Sequence, residues 1–568
     1  MKTYPDCKPL RIKKISIPWF LRRRTRYHFF SKYLFCLLIV LFSTIPQGCR
    51  GADRPHSSSR WPTCDTNAAS QQISFVHVAD THARYNPTPG GSSPLARIRG
   101  FAEQVRGENP YTVFTNAGDD YEKGSIAEEL SQGRTTRQVV QTMQYDVRTI
   151  GNHDFAWGLE ELLAFSHDPV AVVLASNTKM TAIVPGIQKI QGRSVEVSEQ
   201  KGGRRVSLAP GNVLAEERFS DPGWVDYAEL TVGCVKIGFF GLVSRPWNEN
   251  GEQYDGPFYH KHPELQTDSR YVAITNEIIA RHRQEVDLLV LVSHLGIYDD
   301  IQLAEQTEGI DIILGGHTHT TMTEPLRINN TTIIHPGSHA ETIGRFDVDY
   351  NLRDKQITDS RFVLVSNQEG ETPVDEVTER EIKKIISPYQ EAIHTDFSRL
   401  NTSQSGKGMA IIAARAAVET LKSDAAFVNP QSAWKGRLPG GLTAQDVLDT
   451  FPVEREPAGE PGGSSLYLIR ETGVDLLQAR ALLPDFAYWG PEKINPAMIY
   501  TVALPKAQAL DQQRYFGREI SMTPPESVGE LWETVVAFGR DRNSANLSLD
   551  ERGQDRSRDL IAALVKGR

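Results

Sequence analysis

The chain has 568 residues, of which 39% are hydrophobic and 23% charged, and its mean hydropathy is -0.38. This composition excludes a polytopic membrane protein, a collagen-like chain and a wholly disordered one, and the length predicts two or three domains. The formal net charge is -9, but residues 1–32 hold ten Lys or Arg against one Asp. The rest of the chain therefore carries -18 (-9 minus +9), so no nucleic acid polymer is expected as a partner.

The amino-terminal residues have the order of an export signal. Basic residues lead into the apolar run YLFCLLIVLF, which is short for a membrane span, and small residues follow. We expect residues 1–48 to be a signal peptide or, alternatively, an N-terminal anchor, and both predict an extracytoplasmic protein, periplasmic, at the cell envelope or secreted. Cys49 follows Gly as in a bacterial lipoprotein, although Pro46 stands where Leu is usual, so lipidation and membrane attachment stay open. One disulfide between Cys64 and Cys234 is allowed but not required.

The body of the chain alternates apolar runs with helix-like stretches. Residues 49–70 are rich in Ser, Arg, Pro and Gly and are expected to be a tether. Continuous apolar runs such as ISFVHVAD, TVFTNAGD and VDLLVLVSH then predict an α/β domain over residues 71–365, with sheets covered on both faces. Residues 366–405 are charged with helical spacing and predict a helical linker. Residues 406–568 combine an Ala-rich helix with apolar strands and predict a separate α+β domain.

Polar side chains collect where the predicted strands end. A lone Asp or His at such a place is more often a cap, but five strand ends with oxygen or imidazole donors favour a site for divalent metal ions. Two ions close together need a bridging carboxylate, and Asp119 is the natural bridge. Alternate residues of extended backbone face the same way, so we expect each Asp-x-His or His-x-His pair to converge. The donors are Asp80, His82, Asp119, Asn152, His153, His294, His317 and His319.

The motifs D-x-H, GD, GNH, a lone H and GH-x-H occur in this order over about residues 71–350 and resemble those of the calcineurin-like metallophosphoesterases. The longer GNHDFAWG, the ASN segment at Asn177 and the second domain look like the secreted 5'-nucleotidase/UDP-sugar hydrolase family. This resemblance implies a four-layer αββα metallophosphoesterase domain followed by an α+β C-terminal domain of the 5'-nucleotidase type. It also implies two divalent ions, of Zn, Mn, Co, Ni or Fe, whose identity the sequence does not give.

The resemblance assigns roles to individual residues. One ion would be held by Asp80, His82, Asp119 and His319, and the second by Asp119, Asn152, His294 and His317. His153 would be the catalytic residue, because it would give a proton or hydrogen bond to the developing charge. The implied substrate is a small anionic phosphoester.

The chain departs from the resembled nucleotidases in two places. They carry an Asp that orients the catalytic His, whereas this chain has Ala156. We expect either a lower turnover or another acid, such as Asp120, in that role. In the second domain, NPQSAWK places Trp434 where the family has an Arg that grips the substrate. Candidate substrate contacts are Asn429, Trp434, Tyr488, Trp489, Tyr515 and Phe516, although aromatic residues at such places more often belong to a core.

These features predict an exported, dinuclear metal-dependent phosphohydrolase that acts on nucleotides or related phosphoesters, of 5'-nucleotidase, UDP-sugar hydrolase or cyclic phosphodiesterase type. Two alternatives stay open. One is a thiosulfohydrolase-like or other phosphoester hydrolase of the same superfamily, and the other is a low-activity metal-binding surface protein. The complete ligand set argues against a decayed site, whereas Ala156 argues mildly for one.

Overall fold

The computed structural model describes residues 61–88, 90–180, 195–200, 203–208, 222–244, 265–453 and 465–551. The expected signal or anchor, Cys49 and residues 552–568 lie outside these ranges. In the described ranges, no helix combines the length and the apolar composition needed to cross a lipid bilayer.

The strands are, in chain order, β1 (Ser70–Val78), β2 (Thr112–Asn116), β3 (Val147–Thr149), β4 (Val172–Leu174), β5 (Thr178–Met180), β6 (Val195–Gln200), β7 (Gly203–Leu208), β8 (Tyr227–Val232), β9 (Val235–Val243), β10 (Leu265–Thr267), β11 (Leu288–His294), β12 (Ile312–Gly315), β13 (Leu326–Ile328), β14 (Thr331–Ile334), β15 (Thr342–Asn351), β16 (Gln356–Ser366), β17 (Ser398–Leu400), β18 (Ala425–Val428), β19 (Gly440–Leu442), β20 (Ser465–Thr472), β21 (Ala487–Trp489), β22 (Ile499–Pro505) and β23 (Glu526–Glu530). The α-helices are α1 (Pro94–Glu108), α2 (Ile126–Ser131), α3 (Arg134–Met143), α4 (Gly158–Ser166), α5 (Tyr271–His282), α6 (Ile297–Gln306), α7 (Glu376–Ile386), α8 (Gln390–His394), α9 (Gly406–Leu421), α10 (Ala444–Thr450), α11 (Gly473–Leu482), α12 (Lys506–Leu510), α13 (Gln512–Phe516) and α14 (Leu531–Ser544).

Two sheets face each other in the first part of the chain. One has the order β16-β15-β1-β2-β3-β4, and the other has the order β13-β14-β12-β11-β9-β8-β7-β6. Strands β1 to β4 are parallel to one another, as are β9, β11, β12 and β14, so the carboxyl ends of each set share one edge. This edge is where the predicted donors follow the strands.

Alternate side chains of each strand enter different cores. Phe75 of β1 and Phe239 of β9 lie in the apolar layer between the sheets, whereas Val76 faces the outer side with Leu95 of α1. On the other outer face, Phe240 packs with the α5 and α6 helices. Because strand side chains alternate between faces, each sheet is covered on both sides, and the four-layer αββα arrangement is confirmed.

The second part of the chain contains a mixed sheet with the order β21-β18-β22-β20-β23, flanked by helices. Ser405 caps its α9 helix, because the Ser405 side chain accepts a hydrogen bond from Gly408 N at 3.1 Å. The expected α+β domain of this part is therefore confirmed. Ile382 of α7 and Met409 of α9 belong to one continuous buried cluster, which crosses the predicted boundary at residue 406. The domain boundaries remain a prediction.

The segment expected to be a tether is folded in its last residues. The buried Trp61 ring joins the core between the sheets, and its Nε1 donates to Thr112 O at 2.8 Å. Cys64 forms a disulfide with Cys234. The folded body therefore begins before residue 71, because an aromatic side chain and a disulfide fix this segment on the sheet.

One helix of the second part of the chain, α10, is hydrogen-bonded to the first part of the chain. The amide of Gln445, in α10, accepts hydrogen bonds from Asn86 Nδ2 at 2.7 Å and Ile126 N at 2.8 Å, and donates one to Gly124 O at 2.7 Å. Arg84 also forms an ion pair with Asp449 of the same helix at 3.1 Å. Helix α10 thus fixes the loops that follow β1 and β2.

Candidate metal centre and active site

One group of donors converges after β1, β2 and β12. His82 Nε2 lies 3.0 Å from His319 Nε2, and His319 Nε2 lies 3.6 Å from Asp80 Oδ1. His82 Nδ1 is 3.0 Å from Tyr121 O, so Nδ1 carries the proton and Nε2 keeps its lone pair. A cation shared by two imidazole rings requires this arrangement, in which nitrogens with free lone pairs face each other.

A second group converges after β2, β3 and β11. His294 Nε2 lies 3.1 Å from Asp119 Oδ2 and 3.2 Å from Asn152 Oδ1, while its Nδ1 donates to Ala117 O at 2.6 Å. The donor atoms of Asp119, His294 and His317 all lie within 4.8 Å of one another. Those of Asp80, His82 and Asp119 meet the same limit, so Asp119 belongs to both groups.

The convergence depends on left-handed backbone rather than on the extended backbone that we expected. Asp80, His82, Asp119, His317 and His319 have φ values of 52°, 47°, 56°, 76° and 54°. Such values are uncommon outside glycine and cluster at functional sites. A Cβ at Gly151 would lie 2.1 Å from Asp119 Oδ1, so this position needs glycine for the close approach. These turns direct the donor side chains into one space, whereas straight strands would direct them apart.

The donor set fits divalent cations. Burial raises the pKa of Asp80 to about 8, and the nearby Asp119 charge adds to this effect. Burial, with the positive charge of His153, lowers the pKa of His82 well below its ordinary value. The His82 ring is therefore neutral, as a metal ligand must be. Two adjacent buried carboxylates need a counter-charge, and divalent ions among carboxylate, amide and imidazole donors would supply it.

The structure adds a histidine that sequence reasoning missed. His339 follows β14, and its ring lies 5.1 Å from that of His82 and 5.0 Å from that of His319. Its N donates to Asp80 O at 2.7 Å, and its donor atom lies within 4.8 Å of those of His82 and His319. A second His shortly after the strand end, in HPGSH, was the sequence signal that could have indicated it.

His153 lies beside the two groups. Its N donates to Asp119 Oδ1 at 2.8 Å, and its ring is 5.0 Å from that of His82. Its Nδ1 contacts Glu122 Oε2. Burial lowers the pKa of His153, but the Asp119 and Glu122 carboxylates outweigh burial and raise it above the ordinary value.

Asp120 does not fill the role that we suggested for it. Its carboxylate accepts hydrogen bonds from Thr81 Oγ1 at 2.6 Å and from Asn116 Nδ2 at 2.9 Å. Glu122 reaches His153 instead, because the loop turns between these two acids. The sequence signal was an acid three residues after Asp119 in the same loop.

Among the candidate substrate contacts, Trp434 lies near Lys123, which in turn lies next to His153. It is 48% exposed, and Lys123 Nζ lies 5.8 Å from its ring centre. Lys123 Nζ is also 3.4 Å from His153 Nε2. The Lys123 ammonium group therefore lies between His153 and the ring of Trp434. Trp434 stands where an Arg was expected.

The other candidates have structural contacts. Asn429 caps a short 3-10 helix and accepts a hydrogen bond from Gln431 N at 3.0 Å. Phe516 is 4% exposed, and it packs with Tyr488 and Tyr515 in the core of the C-terminal sheet, whereas Trp489 packs on the cluster that contains α9. These contacts are those of packing and capping groups, and they give no support to a substrate-binding role.

Comparison with known proteins identifies the family of one segment of the chain. Residues 73–321 match the model of the family described as calcineurin-like phosphoesterase. This range contains the seven predicted ligands and His153. Residues 73–321 are a calcineurin-like phosphoesterase domain.

Known proteins also resemble this chain beyond its phosphoesterase domain. It is 24% identical over 430 residues to the trifunctional nucleotide phosphoesterase protein YfkN of Bacillus subtilis, covering 72% of this chain and 27% of YfkN. Its fold matches a 5'-nucleotidase precursor of Thermus thermophilus with a TM-score of 0.58 and 14% identity, covering 83% of this chain and 96% of the other. It also matches the sulfate thiohydrolase SoxB of Thermus thermophilus, with a TM-score of 0.54, 15% identity and coverages of 83% and 94%. The chain spans 27% to 42% of the length of YfkN and two further curated relatives.

The phosphoesterase domain should gain stability from divalent ions through Asp119. We expect Mn²⁺ or Zn²⁺ at 100 times its dissociation constant to add about 2.7 kcal/mol to the free energy of unfolding for each site filled. The variant Asp119→Asn should lose most of this gain and most of its bound metal, because both donor groups lose their shared carboxylate. Thermal denaturation and elemental analysis after dialysis measure the two effects. The exposed Glu324→Gln is the matched control, and equal metal content in both variants would contradict the shared role of Asp119.

Proposed function

We propose that this chain is an exported phosphohydrolase that uses two divalent metal ions to cleave nucleotides or related phosphoesters. The observation that carries the proposal is the position of Asp119. Its Oδ2 faces His294 Nε2 at 3.1 Å, and its donor atoms are within 4.8 Å of those of Asp80 and His82. Membership of the calcineurin-like phosphoesterase family supports the same reading.

The proposed ligands are those assigned from the sequence, four for each ion, with Asp119 in both sets. Bound divalent ions would supply Lewis-acid chemistry, which lowers the pKa of water and offsets phosphoryl charge. His82 holds its Nε2 lone pair ready, because its Nδ1 donates to a backbone carbonyl, and the same kind of contact from His294 Nδ1 directs His294 Nε2 at Asp119. His153 would hold a proton at Nε2 for the leaving oxygen, since the nearby carboxylates favour the charged ring.

The substrate class follows from the side chains around His153. Lys123 Nζ, 3.4 Å from His153 Nε2, would attract an anionic phosphoryl group. The exposed ring of Trp434 next to Lys123 would stack on a planar group attached to that phosphoryl group. This pairing supports a nucleotide, as do the nucleotide phosphoesterase and 5'-nucleotidase among the similar proteins.

The fold alone does not choose the ester, because a sulfate thiohydrolase has the same architecture. We therefore expect metal-dependent cleavage in a panel of AMP, UDP-glucose, 2',3'-cyclic AMP and bis-p-nitrophenyl phosphate. Released phosphate or p-nitrophenol is measured with Mn²⁺, Zn²⁺ or Co²⁺ and with chelator. A folded, metal-loaded sample that cleaves none of the four would exclude the phosphohydrolase and leave the thiosulfohydrolase-like or metal-binding alternatives.

Lys123 and Trp434 should affect substrate binding separately. Lys123→Met should raise the KM for all phosphoesters by about tenfold or more, because a charge-assisted contact is worth roughly 1.5–3 kcal/mol. Trp434→Ala should raise the KM for AMP but not for an aliphatic phosphomonoester, since only AMP has a base to stack. Met522→Ala, which removes an exposed apolar side chain elsewhere, is the control. Equal KM changes for both substrates in Trp434→Ala would contradict stacking.

Export is part of the proposal. The basic head and short apolar run support it, and so does the Cys64–Cys234 disulfide, since disulfides persist mainly in oxidising compartments. We expect the chain isolated from its native cell to lack residues 1–48 and to begin at Cys49 if it is a lipoprotein. Intact mass spectrometry with and without reduction measures both the amino terminus and the disulfide. An uncleaved, cytoplasmic chain with two free thiols would contradict export.

A further inference from the structure

We propose that Glu122 is the carboxylate that positions His153 in this protein, in place of a side chain at position 156. The inference rests on the proposed phosphohydrolase function, in which His153 gives a proton to the leaving oxygen. It assigns a positioning role to a residue outside the family motif pattern. It also explains how the site can work with alanine at position 156.

The contact itself is buried and directional. The Glu122 side chain is fully buried, whereas that of His153 is 19% exposed, and Glu122 Oε2 contacts His153 Nδ1. A carboxylate accepts only, so this contact fixes the proton on Nδ1 and turns Nε2 away from Glu122. Nε2 then faces the Lys123 side chain, on the side where we place the substrate.

The loop that carries Glu122 is held in an uncommon shape. Glu122 and Lys123 both have φ of 69°, in the left-handed region that favours glycine. Glu122 N donates to Glu128 Oε1 at 2.9 Å, and Gly124 O accepts from Gln445 Nε2 at 2.7 Å. A Cβ at Gly124 would lie 2.0 Å from His82 O, so glycine is needed where the loop passes the metal ligands. Contacts on both sides hold the strained residues and aim the Glu122 side chain at His153.

Other acids close to His153 are committed elsewhere. Asp120 binds Thr81 and Asn116. Asp154 accepts hydrogen bonds from the backbone N of Gly151 and Asp120, both at 2.8 Å. Of the acids that follow Asp119 in these two motif loops, Glu122 is the one whose side chain contacts the His153 ring in the described structure.

Position 156 offers a direct test of the proposal that Glu122 takes the place of a carboxylate at that position. Ala156 is 2% exposed and closes the short 3-10 helix His153–Phe155, with its N donating to His153 O at 3.0 Å. Residues three apart on a 3-10 helix lie on the same side. An Asp at position 156 would therefore stand next to the His153 ring, where it could replace the Glu122 carboxylate.

The experiment compares four variants in the full chain loaded with metal. Glu122→Ala should lower kcat by about 10- to 100-fold without a matching change in KM or in metal content, because the proton donor loses its orientation. Glu122→Gln, which keeps the shape but not the charge, should lie between this variant and the wild type. Ala156→Asp alone should change kcat by less than about twofold. The double variant Glu122→Ala/Ala156→Asp should recover much of the kcat that Glu122→Ala loses. The exposed Glu305→Gln is the control.

Two further measurements separate positioning from folding and from a wrong function. The loss should be larger for AMP than for bis-p-nitrophenyl phosphate, because a good leaving group needs less help from a proton donor. ¹⁵N NMR at a pH where the His153 ring is neutral should show the remaining proton on Nδ1 in the wild type and a mixture of tautomers in Glu122→Ala, whether or not the protein turns over any substrate. Unchanged kcat and an unchanged tautomer in a folded Glu122→Ala would overturn the proposal. Absent turnover in the wild type with the expected tautomer change would overturn the phosphohydrolase alone.

Discussion

The contacts of Asp119 hold the active-site loops together. Its Oδ1 accepts from His153 N, its Oδ2 faces His294, and its backbone O accepts from His82 N at 3.0 Å. Burial alone would raise the pKa of Asp119, but the nearby His294 and His153 lower it well below its ordinary value. One buried carboxylate therefore links loops from both sheets. Without it, the donor groups would have no common anion.

The second part of the chain supports this centre. Gln445 of α10 fixes Gly124, two residues after Glu122, and the Arg84–Asp449 ion pair ties the same helix to the loop that contains His82. The partly buried Arg84–Asp449 ion pair contributes little by itself, but a fully satisfied amide is costly to break because its partners would lose their hydrogen bonds. The loop that contains Glu122 and Gly124 is thus held by a helix more than 300 residues away in sequence.

The departures from the resembled family have structural counterparts. Ala156 removes a carboxylate next to His153, and Glu122 brings one from the preceding motif loop. Trp434 stands where an Arg was expected, and Lys123 brings a positive charge close to it. Both replacements come from adjacent residues on one loop.

The sequence by itself determined the α/β architecture and the order of the motifs. The periodicity of apolar residues indicates which side chains are buried, and the spacing of Asp, Asn and His indicates which donors can follow strands. The tertiary structure decided which groups meet. Glu122 rather than Asp120 reaches His153, because two consecutive left-handed residues turn the loop, and local sequence does not encode that turn. His339 and Lys123 join the site, and Phe516 packs in the C-terminal core, because contacts between distant segments depend on how sheets and helices pack.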